Sequence, residues 1–370
     1  MQGQEIGVFH IPMRGPGDTK GLVQLIEEGR LHPRNIIAVL GKTEGNGGVN
    51  DFTREYATWS LCAALTPYLE LTAAQVEDRI AFVMSGGTEG VLSPHITVFE
   101  RSKTCGFAGT SKRLAIGMAT TRPFRPEEIG RTAQIESTAQ AVHGAMEDAA
   151  ITASEDVHFV QVKCPLLTAE RMEEAASRGQ SIVTKSAYAS MGYSRAASAL
   201  GVALALKEVP APIPDEAVGK DWSLYSRVAS ASAGIELSRS VVIVFGNSYR
   251  ASSPYVIGHG VMKDAIDLHA IYAAFAAAGV DTSTLAAGPA CQRIVNVFAK
   301  AEASPDGLVR GFRHTMLDDT DISATRHARA AVGGLVAGIV GNGAIYVSGG
   351  AEHQGPPGGG PIAVIAYVKT

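Results

Sequence analysis

Asn35–Lys42 (NIIAVLGK) is an apolar run that ends in a lysine, and it has two counterparts further along the chain, His158–Lys163 (HFVQVK) and Arg293–Lys300 (RIVNVFAK). Short apolar runs bounded by turn formers read as buried strands. Each run is followed by a turn-rich segment: TEGNGG, CPLL and AEASPDG. Next comes a hydroxyl residue followed by arginine, at Thr53-Arg54, Ser194-Arg195 and Thr325-Arg326, opening or lying within a helical pattern. A second strand then runs into a serine and a small-residue turn closed by glutamate: Ser85-Gly86-Gly87-Thr88-Glu89, Ser232-Ala233-Gly234-Ile235-Glu236 and Ser348-Gly349-Gly350-Ala351-Glu352. HITVFE, SVVIVFG and IAVIAYV supply a third strand each time.

The beginnings of the repeats agree as well. IGVFHIPM, LAIGMATT and YVIGHGVM are β-like, and each precedes an amphipathic helical pattern (LVQLIEEG, TAQAVHGAMEDA, IYAAFAAAGV). A long-period internal repeat therefore organises the chain. The predicted fold is α/β, built from three repeated β-α-β-α-β-β units. The units are expected at 1–103, 111–250 and 254–370. The order lysine, arginine, serine is kept while the spacing varies: 12, 32 and 26 residues from Lys to Arg, then 31, 37 and 22 from Arg to Ser. Fixed order with variable spacing is what loop insertion into diverged copies produces.

Taken singly, these elements are bland. A lysine at a strand end is usually a solvated charge, and Ser-Gly-Gly is usually a turn. Triplication for stability alone would repeat Gly and Ser, but it would not call for the same lysine and arginine in every copy.

Composition sets outer limits. Hydrophobic residues are 46% of the 370 and charged residues 18%, enough apolar material for packed cores and too little charge for disorder. The net charge of −4 argues against nucleic-acid or acidic-membrane partners. Met1-Gln2-Gly3-Gln4-Glu5 has no basic and apolar leader pattern, and no apolar run is long enough to span a bilayer, so a cytoplasmic protein is expected. Cys62, Cys105, Cys164 and Cys291 form no C-x-x-C pair, which fits reduced thiols better than a thiolate metal site. Gly41-Lys42-Thr43 resembles the end of a P-loop, but the glycine required at position 36 is Ile36. Neither a dinucleotide fingerprint nor an H-x-x-x-H pair with a glutamate occurs. His353 reads as a turn residue, and Trp59, Trp222, Met84 and Met191 as packing residues.

The recurring residue types suit amide chemistry. A serine hydroxyl is a poor nucleophile until a base takes its proton. Lysine can be that base only when neutral, which requires burial or nearby positive charge. Three lysines and three arginines converging on one cavity provide that repulsion, and the arginines stay charged. Gly86, Ala233 and Gly349 let backbone N–H groups approach a carbonyl oxygen. A site with three such sets suits a flat cyclic imide with threefold amide symmetry. A triplicated, non-catalytic protein that binds a planar ligand is the rival reading. It would use the same arginines but leave the lysines without a task.

GKTEGNGGVNDFTREYAT, MSGGTEGVLSPH, HFVQVKCPLLT, SMGYSRAASALG, SASAGIEL, NVFAKAEASPDG and VSGGAEHQGPPGGGP together resemble the cyanuric acid hydrolase and barbiturase family of cyclic amide hydrolases over essentially the whole chain. The resemblance implies three pseudo-symmetric α/β units forming a pseudo-barrel around a central active site, and opening of cyanuric acid to carboxybiuret, which decarboxylates to biuret and carbon dioxide. It pairs Lys42, Lys163 and Lys300 with Ser85, Ser232 and Ser348. It makes Ser232 the nucleophile, with Lys163 as its base, and sets Arg54, Arg195 and Arg326 on the ring oxygens, Arg329 lying close to the last. No cofactor for catalysis is implied. A structural divalent cation, Mg²⁺ or Ca²⁺, is implied at Glu302, Ala351, Gln354, Gly355, Pro356 and Gly359, where oxygen ligands would suit a hard ion. A homotetramer is also implied. Barbituric acid, which replaces one ring N–H by a methylene, is the competing substrate.

Overall fold

The lysine-ending runs lie inside three four-stranded sheets that share one strand order, in a computed structural model that describes residues 3–104, 109–284, 291–317 and 323–368. The first sheet holds β1 (Gly3–Pro12), β2 (Ile36–Thr43), β3 (Ala81–Gly86) and β4 (His95–Thr104), in the order β1-β4-β2-β3. The second holds β5 (Arg113–Thr120), β6 (Val157–Pro165), β7 (Ala229–Gly234) and β8 (Val241–Ser248), in the order β5-β8-β6-β7. In the third, β9 (Tyr255–Met262), β10 (Ile294–Ala301), β13 (Tyr346–Gly349) and β14 (Gly360–Tyr367) run in the order β13-β10-β14-β9, which is the same order read from the other edge. A short hairpin, β11 (Leu308–Val309) with β12 (Phe312–Arg313), is inserted after β10.

The correspondence extends to an irregularity. Against the antiparallel partner, the register slips between Ile36 and Ala38, between Val157 and Phe159, and between Ile294 and Asn296. Each slip lies six to four residues before the lysine. β-bulges are built features that re-aim a strand, so the same bulge at the same place marks three copies of one device.

Helices cover one face of each sheet. Unit one carries α1 (Lys20–Glu27), α2 (Phe52–Leu69) and α3 (Ala73–Arg79), and unit two carries α4 (Thr132–Asp148), α5 (Ala169–Ser177) and α6 (Ala187–Ala205). The last unit carries α7 (Leu268–Ala277) and α8 (Ala324–Val340). The expected β-α-β-α-β-β pattern is thus present, with α3, α5 and the hairpin added between its elements.

Strand residues alternate between two kinds of core. Val242 and Val244 face the helices of their own unit, whereas Ile243 and Phe245 face the molecular centre. Ile362 and Val364 pack beneath α7 and α8, while Ala363 and Ile365 point inward. Because both faces are buried, the strands read as unbroken apolar runs. The central cluster draws on all three sheets: Leu40 and Phe99, Phe159 and Phe245, Phe298 and Tyr346. Phe298 stacks on Phe159 at 4.5 Å between ring centroids, within the range of favourable aromatic pairs. Three open sheets therefore converge on one shared core, and among the described residues none closes into a hydrogen-bonded barrel.

Polar side chains join the units at one end. Ser253 Oγ accepts from Ile6 N at 2.8 Å and donates to Leu114 O at 2.8 Å. Gln4 donates to Ala149 O and accepts from Ile116 N.

Two packing expectations are corrected. Met84 and Met191 are buried, but Trp59 is 63% exposed and stacked on Tyr56, and Trp222 is 40% exposed, lying flat against the buried ring of His353. His353 is a loop anchor: its Nε2 accepts from Gly219 N at 2.8 Å and its Nδ1 meets Leu224 O at 2.6 Å. Cys62 and Cys164 are buried free thiols, and Cys105 lies outside the described residues. No described helix is long and apolar enough to cross a membrane.

Candidate active site

Parallel pairing inside each sheet sets a lysine beside a serine. The registers match Lys42 with Ser85, Lys163 with Ser232, and Lys300 with Ser348. Each pair lies at the carboxyl ends of its two parallel strands, the end at which open α/β sheets bind ligands. All three lysines are at most 3% exposed.

The helices then deliver the arginines. Thr53, just inside α2, hydrogen-bonds Thr43 Oγ1 at 2.8 Å, and Asp51 caps that helix by accepting from Thr53 N at 3.0 Å. Ser194 of α6 donates to Pro165 O at 2.5 Å, and Thr325 of α8 donates to Glu302 at 3.2 Å. In each unit the hydroxyl residue before the arginine is thus tied to the strand end that follows the lysine, which aims the arginine at the centre.

Every arginine reaches into another unit. Arg54 donates to Ala233 O in the second unit at 3.4 Å. Arg195 makes a bidentate pair with Glu352 of the third unit at 2.8 and 2.5 Å. Arg329 makes one with Glu89 of the first unit at 2.8 and 2.5 Å, and Arg326 adds a single contact there at 3.1 Å. The arrangement is cyclic, first to second to third to first. Lys300 likewise crosses between units to donate to Ala231 O at 2.8 Å.

Arg329 takes the place in the third unit that Arg195 holds in the second. Its side chain is 5% exposed, against 38% for Arg326. A Cβ at Gly87 would stand 2.5 Å from Arg329 Nη2, and one at Gly350 would stand 2.6 Å from Arg195 Cζ. Both glycines also have positive φ, which a side chain would strain. The second residue after Ser85 and Ser348 is glycine because a guanidinium lies against it. Arg326 remains on the rim, lining with Arg195, Arg329, Gly349 and Glu352 a cavity of about 480 Å³. A second cavity, of about 750 Å³, opens between α2, α3 and the second sheet and is lined by Arg54, Lys163 and Glu236.

The three lysines differ in their partners. Lys42 Nζ lies 3.0 Å from Ser85 Oγ and 3.3 Å from Gly86 O. Burial drives its pKa well below the usual lysine value, assisted by the charges of Arg329 and Lys300 and opposed by Glu89 and Asp51. Lys300 Nζ lies 3.2 Å from Ser348 Oγ and 2.9 Å from Gly349 O. Burial, with Arg195 beside it, brings that lysine down to about 7. In the second unit Lys163 instead meets Glu236 Oε1 at 3.1 Å, and the enclosed hydroxyl of Ser232 has no hydrogen-bond partner. The structure therefore brings Lys163 and Ser232 side by side on adjacent strands without a hydrogen bond between them.

The candidate cation residues are only partly gathered. Glu302, Ala351, Gly355 and Pro356 line a cavity of about 240 Å³, whereas Gln354 and Gly359 do not. The Gln354 amide is engaged elsewhere, accepting from Ala231 N at 2.7 Å and donating to Gly350 O at 3.0 Å. Burial and the neighbouring Glu352 raise the pKa of Glu302, the response of a carboxyl short of positive charge. Among the described residues no cluster of three or more His, Cys, Asp or Glu side chains could hold a metal. An ion here would lean on one carboxylate and on loop carbonyls, a donor set that suits a hard cation.

The sequence reading named Arg329 and the three glutamates but gave them no role. Arg329 carried no signal beyond lying one helical turn after Arg326. The glutamates did carry one: Glu89, Glu236 and Glu352 each stand four residues after their serine. That spacing is as regular as any in the repeat, but a glutamate closing a turn suggests no partner until the neighbouring unit is in place.

Comparison with known proteins agrees with this geometry. The family model of the amidohydrolase ring-opening proteins matches residues 7–367. Cyanuric acid amidohydrolase of Bradyrhizobium diazoefficiens is 62% identical, with 100% of both chains covered, and that of Pseudomonas sp. strain ADP is 60% identical over 98% of this chain and 99% of its own. A cyclic amide hydrolase of Azorhizobium caulinodans is 50% identical over 98% and 99% of the two chains. A solved cyanuric acid hydrolase, described as an innovation by structural concatenation, superposes with a TM-score of 0.93 at 59% identity, covering 99% of this chain and 100% of that one. The chain is a hydrolytic enzyme that belongs to the ring-opening amidohydrolases, the family of the cyanuric acid amidohydrolases and cyclic amide hydrolases.

Proposed function

We propose that this enzyme opens the ring of cyanuric acid by a serine–lysine mechanism centred on Ser232. The observation that carries the reading is the threefold recurrence of lysine beside serine at one register, with an arginine arriving from a neighbouring unit each time. A planar ring with three equivalent amides can present one carbonyl to each set.

Ser232 Oγ attacks a ring carbonyl carbon while Lys163, as the neutral amine, takes the hydroxyl proton. The ring C–N bond breaks, and the departing nitrogen receives that proton from Lys163. The open chain stays attached to Ser232 until water, activated by the same lysine, releases carboxybiuret. Loss of carbon dioxide then leaves biuret. Backbone N–H groups at Ala233, Gly86 and Gly349 are suited to polarise the three ring carbonyls. Lys42–Ser85 and Lys300–Ser348 hold the two carbonyls that do not react, together with Arg54, Arg195 and Arg329, with Arg326 at the rim.

A divalent cation at Glu302 and the loop carbonyls would have a structural part, balancing buried carboxylate charge beside the third serine turn. Assembly as a homotetramer, implied by the family resemblance, belongs to the same reading and is checked by sedimentation. The activity is tested by incubating the enzyme separately with cyanuric acid and with barbituric acid and assaying ring loss, biuret and carbon dioxide. Faster turnover of cyanuric acid, with one carbon dioxide per ring opened, is expected. Preference for barbituric acid, or ligand binding without product, would overturn the assignment.

A further inference from the structure

We propose that Glu236 is a positioning residue for the middle pair: it holds Lys163 away from Ser232 until Arg54 takes its carboxylate. The inference rests on the serine–lysine reading above and adds a residue to it.

The argument is a comparison within the molecule. Glu89 and Glu352 are each bound in bidentate fashion by an arginine from another unit, Arg329 and Arg195. In those two units the lysine is free to meet its own serine, at 3.0 and 3.2 Å. In the middle unit the corresponding arginine is not on the glutamate. Arg54 donates to Gly48 O at 2.7 Å and to Ala233 O at 3.4 Å, with Asp51 3.9 Å away. Glu236 takes Lys163 instead, at 3.1 Å, and Ser232 Oγ is left without a partner. One missing ion pair accounts for all three departures from the pattern.

The alternative pairing is within reach. Arg54 already contacts the backbone of the turn that carries Glu236, and against the opposing effect of burial the carboxyl pKa of Glu236 is lowered by Lys163 and, to a smaller extent, by the charge of Arg54. The side chain of Glu236 is 41% exposed, against 6% for Glu89 and 23% for Glu352, and it lines the 750 Å³ cavity. Arg195 and Arg329 bind their glutamates through Nε and Nη2, leaving Nη1 for a ring oxygen. Arg54 docked on Glu236 in the same way would also keep Nη1 for the ring. A carboxylate beside an amine favours the ammonium, and an arginine that neutralises the carboxylate relieves that preference. Arrival of Arg54 on Glu236 therefore frees Lys163 to turn to Ser232. The other charged or titratable groups around the pair are Glu55, Tyr56 and Cys62 on α2, Glu77 and Asp78 on α3, Cys164 on β6, Arg195 on α6 and Lys300, which reaches Ala231 O from β10.

The test is the pH profile of kcat/KM for wild type, Glu236→Gln and Glu236→Ala, with Glu77→Gln as a control in the same cavity. Removing the carboxylate should move the acid limb down by about one pH unit or more, and Glu77→Gln should leave it in place. An unmoved or raised limb in either folded Glu236 variant overturns the proposal. So does a uniform loss at all pH values, which is what a merely structural residue would give. Ser232→Ala is run alongside: full turnover there sinks the serine–lysine reading itself, whereas an inactive Ser232→Ala with an unmoved Glu236→Gln limb sinks only this inference.

Discussion

Lys42→Met should make the protein more stable at neutral pH and alter how stability responds to pH. Lys42 is fully buried, and its ammonium form is opposed by burial and by the charges of Arg329 and Lys300. In the unfolded chain the same side chain keeps its proton up to about pH 10.4. Between the lowered native value and that figure the unfolded state binds more protons, so stability rises with pH. The slope from one such group is at most about 1.4 kcal/mol per pH unit. Below the window the wild type carries the full penalty, and above it the penalty is gone. Methionine has similar bulk and no charge, and replacing buried ionic groups by apolar ones of like volume is often neutral or stabilising by about 1–4 kcal/mol. Urea unfolding of both proteins at pH 7, 8, 9 and 10 reads the effect. The variant should be the more stable at pH 7, and its advantage should shrink as pH rises. Parallel stability curves would refute the claim that burial lowers the pKa of Lys42 in the fold. Activity should fall at every pH, mainly through KM, because Ser85 loses the partner 3.0 Å away.

Other substitutions probe other parts of the account. Phe298→Ala removes the ring that contacts Phe99, Phe159, Phe245 and Tyr346 at the centre of all three units, and urea unfolding should show a loss of about 3–5 kcal/mol; a change under about 1 kcal/mol would mean that the shared core does not couple the units. Arg329→Ala should lower kcat/KM about 100-fold or more and Arg326→Ala less than about tenfold, since the former strips a bidentate partner from buried Glu89; the reverse order would return the binding role to Arg326. Dialysis against a chelator should lower the melting temperature and added Mg²⁺ or Ca²⁺ should restore it, with Glu302→Gln insensitive to both; equal melting curves throughout would dismiss the cation.

Much of the fold was legible because repetition left marks that single elements lack. NIIAVLGK, HFVQVK and RIVNVFAK occupy β2, β6 and β10, and their lysines align with the serines that were read as their partners. Apolar runs bounded by turn formers announced the strands. What stayed hidden depends on contacts between copies. Nothing in the spacing tells that Arg195 meets Glu352 or that Arg329 meets Glu89, because each pair joins residues more than 150 positions apart in the chain. Trp59 was misplaced for a related reason: an aromatic residue at helical spacing looks like core, yet this one lies on the outer face of α2. The helices α3 and α5 and the hairpin after β10 were absorbed into loops, being too short for a clear period. The difference between the middle lysine and the other two was not read from the sequence; it goes with Arg54 binding Gly48 O and Ala233 O where Arg195 and Arg329 bind glutamates.

Ser85→Ala, Ser232→Ala and Ser348→Ala, measured as one kinetic series on cyanuric acid, test most directly whether three binding sets serve a single nucleophile. The account predicts that Ser232→Ala lowers kcat by about 10⁴-fold or more, the scale of losing a nucleophile. Ser85→Ala and Ser348→Ala should lose a hydrogen bond to the ring and act mainly through KM, by about 10–100-fold. Near-normal kcat in Ser232→Ala, or a collapse of kcat in one of the others that matches or exceeds it, would contradict the account.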